Sequence, residues 1–194
     1  MNGLTTPRLI VRRFRPADWR DLQEYVSRPE VMWFERDWET SDEACRRQAE
    51  KLAENEAFRA VELRGAPDAG KMIGHVYFER IQPEDFMTWE LGYIFNNRFH
   101  GHGYATEACR AVLDDGFRRL GIHRVAAKCA LENPASWRLM ERLGMRREGL
   151  SPKAVTFRRT EQGQPIWWDE LTYAVLADEW PVQGVSEPNR TSRS

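Results

Sequence analysis

Apolar positions along the chain switch repeatedly between strand-like alternation and helical spacing, and the switches mark the elements. Arg8 to Phe14 alternates as a strand. Pro16 then opens a helix whose Trp19, Leu22, Tyr25 and Val26 share one face. Pro29 to Trp38 reads as a loop dense in aromatics. Thr40 and Glu43 have capping-box spacing ahead of a helix carrying Ala44, Cys45, Ala49 and Leu52. Phe58 to Arg64 and Met72 to Ile81 form a hairpin. Met87 to Phe95 is a strand, Tyr104 to Leu120 a helix stopped by Gly121, and His123 to Ala130 a buried strand. Asn133 and Pro134 start a helix faced by Trp137, Met140 and Leu143, which Gly144 ends. Ala154–Phe157 and Ile166–Leu176 make a last hairpin. Beyond Trp180, residues 181–194 are polar and expected to be a disordered tail.

These elements predict an α/β fold of the α+β type: one domain over residues 4–180, with a mixed, twisted sheet of about seven strands flanked by helices. The strand–helix–strand passage from Met87–Phe95 to His123–Ala130 should be a parallel crossover.

The link between that strand and its helix carries the first chemical signal. In Arg98-Phe99-His100-Gly101-His102-Gly103-Tyr104-Ala105, two glycines let successive backbone N–H groups crowd toward one point at a helix start. Such a concavity binds phosphate. A dinucleotide fingerprint does not fit, because Thr106 stands where a third Gly or Ala is needed and no acidic residue follows at about 20 positions. Gly65 to Lys71 fits the start of a nucleotide P-loop, but Met72 replaces the magnesium-holding hydroxyl and a strand follows. It reads as a hairpin turn.

Composition narrows the rest. The 194 residues are 41% apolar, with eight Trp and nine Phe, as in a globular domain. A net charge of −1 gives no sign of a nucleic-acid partner. Cys45, Cys109 and Cys129 are scattered, with neither zinc nor disulfide spacing, which fits a reducing cytoplasm. No signal-like segment and no apolar run near ~18 residues points to export or a membrane. His100 and His102 lack a third ligand nearby, so no metal is expected.

Arg98-x-x-Gly101-x-Gly103 resembles the acyl-CoA pyrophosphate motif of the GNAT N-acetyltransferase superfamily. Asn133-Pro134-Ala135-Ser136 and Leu143 to Gly149 resemble the second half of the same site. Thr6-Pro7-Arg8-Leu9, Glu90-Leu91-Gly92-Tyr93 and Asp169 to Trp180 are similar to the RimJ/RimL branch of ribosomal-protein N-terminal acetyltransferases. The resemblance spans Leu4 to Trp180. It implies acetyl-CoA as co-substrate, and a Met87–Phe95 strand that bulges and splays from His123–Ala130. It implies that Tyr93, Ile94 and Phe95 offer main chain to pantetheine. Main chain from Phe99 through His100, Gly101, His102, Gly103, Tyr104 and Ala105 would hold the pyrophosphate, with Arg98 adding a charged contact. Asn133 and Ser136 complete the cofactor set.

The reaction implied is direct acetyl transfer to a primary amine, at a protein N-terminus or on a small molecule. A non-catalytic acyl-CoA-binding module is the alternative. The resemblance assigns Ser136 as the acid for the leaving thiolate, though a first-turn Ser can equally serve the cap. Tyr104 is a competing hydroxyl. Glu90, a carboxylate inside an apolar strand, is the candidate base, unless it pairs with an Arg such as Arg80; Glu170 on the last hairpin is the fallback. Cys129 reads as a core thiol. Trp33, Phe34, Trp38 and Trp167 or Trp168 are candidates for the acceptor pocket. The expected partner is an amine acceptor, with a homodimer left open.

Overall fold

The computed structural model describes residues 3–65 and 67–181; the expected tail lies outside the described residues apart from Pro181. Eight strands form one sheet, in the order β1-β2-β3-β4-β5-β6-β8-β7. They are β1 (Leu4–Thr5), β2 (Leu9–Arg12), β3 (Phe58–Leu63), β4 (Met72–Arg80), β5 (Thr88–Phe95), β6 (Arg124–Ala130), β7 (Arg146–Arg159) and β8 (Pro165–Leu176). The helices are α1 (Trp19–Val26), α2 (Pro29–Met32), α3 (Asp42–Glu54), α4 (Tyr104–Arg119) and α5 (Pro134–Arg142). One core packs Ala108, Cys109, Val112 and Leu113 of α4 and Leu139 and Met140 of α5 against the sheet. A second packs Leu22, Tyr25 and Val26 of α1 with Cys45, Ala49 and Leu52 of α3. Apolar area removed from water on both faces holds the layers together.

Several local expectations need correction. Pro16 begins a single 3-10 turn, Pro16–Asp18, before α1. Buried Asp18 there accepts from both terminal nitrogens of the Arg12 guanidinium at 2.8 Å. The cap of α3 is Ser41, whose hydroxyl accepts from Ala44 N at 3.2 Å; Thr40 lies one residue too early for it. One helical turn, α2, interrupts the aromatic loop. Strand β7 starts at Arg146, well before the expected hairpin, because a mostly exposed edge strand carries little apolar alternation. The Gly65–Lys71 stretch links antiparallel β3 and β4, and Lys71 is bound to Asp21 and Glu24, not poised for a nucleotide.

The feature that makes the site is a divergence of β5 from β6. The two pair in parallel only from Thr88 opposite Arg124 to Glu90 opposite Ala126. Strand β5 keeps a single register along β4, from Arg80 opposite Trp89 to Gly74 opposite Phe95, so the implied bulge is absent there. Strand β6 meanwhile stays on β8 as far as Ala130 opposite Glu170. Each strand follows its outer neighbour, and a cleft opens between them. On the outer side, Gly74 of β4 lets the end of β5 approach closely. A Cβ there would lie 2.5 Å from Ile94 O and 2.6 Å from the Phe95 ring.

Candidate active site

The cleft begins where β5 ends. Buried Asn96 starts the turn, accepting from Arg98 N at 3.1 Å and donating its amide to Glu24 Oε1 at 2.9 Å. Arg98 reaches the same oxygen at 3.0 Å, and Lys71 holds the other at 2.7 Å. Partial burial alone would raise Glu24, but the hydrogen bonds from Lys71 and Asn96 hold it down at about 2. After the 3-10 turn Asn97–Phe99 come Gly101 and Gly103, with φ of +79° and +77°. Side chains rarely adopt that left-handed conformation, so glycine is favoured at both positions. Gly103 caps α4 with no side chain of its own, and the first-turn N–H groups beyond it have no intrahelical acceptor. The result is a glycine turn at the positive end of a four-turn helix, where main-chain donors suit an anion.

A clamp from the N-terminal segment fixes this turn. Thr6 donates its hydroxyl to Glu107 Oε1 at 2.6 Å, and Arg8 Nε donates to Glu107 Oε2 at 2.7 Å. Arg8 also donates to His102 O at 2.9 Å and lies over the Tyr104 ring. Glu107 is held below its ordinary range, the Thr6 and Arg8 hydrogen bonds outweighing its partial burial. On the facing helix, Arg142 Nε donates to Thr106 Oγ1 at 3.3 Å, which brings a cation to the glycine-turn end of the cleft.

Midway, the Asn133 side chain accepts from Ser136 N at 3.2 Å and so caps α5. The Tyr93 hydroxyl lies 3.0 Å from both the Ser136 hydroxyl and the Ser136 carbonyl. Burial raises the Tyr93 phenol well above its ordinary value, so it stays protonated. Cys129 shares this part of the cleft. Burial, only partly offset by a hydrogen bond with Ser136, pushes its thiol up to about 11, which leaves it a poor nucleophile near neutrality.

At the far end stand aromatics and acids. Phe34 and Phe157 each meet the Trp168 ring at 5.9 Å, Phe34 edge-on. Glu170 shares the Trp168 face of β8 by alternation, and its carboxylate lies 3.2 Å from Lys128. Arg158 of β7 braces the segment after α2. It donates to Met32 O, to Glu35 O at 3.0 Å and to Asp37 Oδ1 at 2.8 Å.

The whole cleft measures about 870 Å³. It is lined by Tyr93, Ile94, Phe95, Phe99, His100, Gly101, Gly103, Tyr104, Ala105, Asn133 and Ser136, all expected there. Arg98 is committed to Glu24. The Phe99 and His100 N–H groups expected to meet the pyrophosphate already donate to the Asn96 and Asn97 carbonyls at 3.0 and 3.2 Å. The His102 ring stacks on Tyr104, which leaves its expected main-chain role as it was. Glu90 sits opposite Ala126, where β5 and β6 are still paired, outside the lining. Among the aromatics, Phe34 lines the cleft and Trp168 backs it. Trp38 stacks on buried His75 in the second core, and Trp33 and Trp167 are about half exposed (47% and 51%). Residues unforeseen from sequence are Glu30, Glu35, Phe157 and Lys128, and the Arg138–Arg142 pair on α5. The i, i+4 spacing of those two arginines ahead of Gly144 was a readable signal; the others meet only through long-range packing.

Comparison with known proteins agrees with this geometry. The Acetyltransferase (GNAT) domain model matches residues 8–146. The Bacillus subtilis (strain 168) protein named Uncharacterized N-acetyltransferase YnaD is 36% identical over 178 residues, covering 91% of this chain and 98% of that one. The [Ribosomal protein uS5]-alanine N-acetyltransferase of Escherichia coli (strain K12) is 28% identical, covering 91% and 92%. The solved structure of a GNAT-family acetyltransferase from Bacillus anthracis superposes with a TM-score of 0.79 at 33% identity, covering 91% and 99%. RimL, a ribosomal L7/L12 α-N-protein acetyltransferase in complex with coenzyme A, shares the fold at a TM-score of 0.74 and 22% identity, covering 92% of this chain and 99% of that one. Among the described residues no helix is long and apolar enough to cross a membrane.

Proposed function

The chain belongs to the GNAT acetyltransferase family, and on that premise we propose that it moves an acetyl group from acetyl-CoA directly to a primary amine. One observation carries this reading: the Gly101–Gly103 turn opens into a cleft whose middle holds the Ser136–Tyr93 hydroxyl pair. The residues fit the co-substrate. The N–H groups of this turn and Arg142 would receive its pyrophosphate, and the backbone of Tyr93 to Phe95, freed from β6, would receive its amides. When bound, acetyl-CoA supplies an activated thioester.

Ser136 is suited to protonate the departing sulfur, because the Asn133 cap holds its backbone and Tyr93 holds its hydroxyl. Tyr93, kept protonated, stays a fixed hydrogen-bonding partner that orients the Ser136 hydroxyl. The acceptor class is a primary amine, on a protein or a small molecule. The name of the E. coli relative, which specifies an alanine of ribosomal protein uS5, supports a protein acceptor as one member of that class. A screen for released thiol over amines and peptides tests the proposal. Release with at least one amine is expected. Acetyl-CoA binding with no release from any amine would instead support a non-catalytic binding module.

A further inference from the structure

Resting on that acetyl-transfer reading, we propose that Glu35 is the carboxylate that receives the incoming ammonium and takes its proton. The acceptors it selects are then cationic primary amines on an apolar or planar body, with no carboxylate beside the amine. The charges of the far half of the cleft argue for this. Arg158 of β7 is engaged by Asp37 and by the carbonyls of Met32 and Glu35. Lys128 of β6 is paired with Glu170 of β8. Arg138 of α5 lies over the Trp137 ring and keeps its charge, so one cation stands against the two acids left. That leaves Glu30 and Glu35 with no ion-pair partner among the described residues.

Of these two, Glu30 is exposed and Glu35 is half-buried. Its neighbour Phe34 forms the aromatic wall with Trp168 and Phe157, against which an apolar body would rest. Burial pushes the Glu35 carboxyl up to about 7 despite the pull of Arg158, so near neutrality it can both hold a cation and accept a proton. In the balanced reaction an ammonium and a thioester become an amide, a thiol and one released proton. One N–H bond of the ammonium breaks and an O–H bond forms on Glu35, so both charges vanish. The neutral amine then forms the C–N bond as the C–S bond breaks, and its second proton replaces the one that Ser136 gives to the sulfur. An amine with its own carboxylate would bring a second negative charge against Glu30 and Glu35, and such acceptors should be excluded.

The test uses the purified full chain with 2-phenylethylamine, phenylalanine amide and free phenylalanine, reading thiol release and, by calorimetry, binding of amine and acetyl-CoA. The two carboxylate-free amines should be acetylated, and free phenylalanine should lag in kcat/KM by about 100-fold. Glu35→Gln should lower kcat/KM for phenylethylamine by about tenfold or more at pH 7, and weaken its binding about as much. The deficit should shrink as pH rises and the amine loses its proton unaided. Acetyl-CoA binding should not change. A Glu35→Gln profile parallel to the parent's, or equal use of free phenylalanine, overturns the proposal. So does phenylethylamine that neither binds nor reacts while other amines release thiol. Thiol release from no amine at all, with amine binding still dependent on Glu35, would count against acetyl transfer and not against Glu35.

Discussion

Ser136 shows how much one side chain can depend on its neighbours. It is a first-turn residue capped by Asn133, and this part of its situation is legible in the sequence, because the contact spans only three residues. Its partnership with Tyr93 joins residues 43 apart and exists only because β5 and α5 face one another across the cleft. Ser136→Ala should lower turnover by ~10²-fold or less, since a thiolate leaves fairly easily. Acetyl-CoA affinity should change by less than ~1.5 kcal/mol, the net worth of one hydrogen bond. Steady-state kinetics and calorimetry check both, and an unaltered turnover would return the hydroxyl to capping alone. Glu35 illustrates the opposite limit. Nothing in its local sequence distinguishes it from other surface acids, and Arg158, which sets its surroundings, lies 123 residues away.

At the level of elements, the glycine loop and the crossover were legible because each is encoded locally: turn residues, a cap and a change of apolar period. The divergence of β5 from β6 is not, since it depends on which outer neighbour each strand follows. Gly74 is where β4 and the end of β5 pack most tightly. Gly74→Ala would drive a methyl to 2.5 Å from Ile94 O and 2.6 Å from the Phe95 ring. Overpacking of this kind costs about 1–3 kcal/mol. Because Phe95 leads directly into Asn96 and the glycine turn, acetyl-CoA binding should weaken along with the melting temperature. Lower stability with unchanged cofactor affinity would show that β4 does not transmit to the turn. The first half of edge strand β7, before Ala154, escaped the sequence for another reason: its exposed positions need no apolar alternation, so only its pairing with β8 reveals it.

For the molecule as a whole, Glu24 joins the layer of α1 to the end of β5 and, through Asn96 and Arg98, to the glycine turn. Its folded-state carboxyl sits at about 2 against an ordinary 4.5, so folding favours the charged form. That stabilisation is complete above the ordinary value and disappears as pH falls from 4.5 through about 2. It amounts to roughly 1–3 kcal/mol, shared with Lys71. Melting temperatures of the parent and Glu24→Gln should therefore differ at neutral pH and converge in acid; a gap independent of pH would contradict it. The divergence of β5 and β6 has a further consequence, for colloidal behaviour. An open sheet ordinarily has two borders where backbone amides lack a strand partner; this one has two more, hidden inside the protein, beyond Glu90 and Ala126. A border of that kind is a template that any intruding strand can extend. A ligand with amides of its own closes it from within, and at 100 times its Kd adds about 2.7 kcal/mol to the folded state. Heated in light-scattering runs, the protein saturated with acetyl-CoA should cloud at a higher temperature than the protein alone, the co-substrate then serving as the missing rib of the sheet; an unchanged clouding temperature would contradict it.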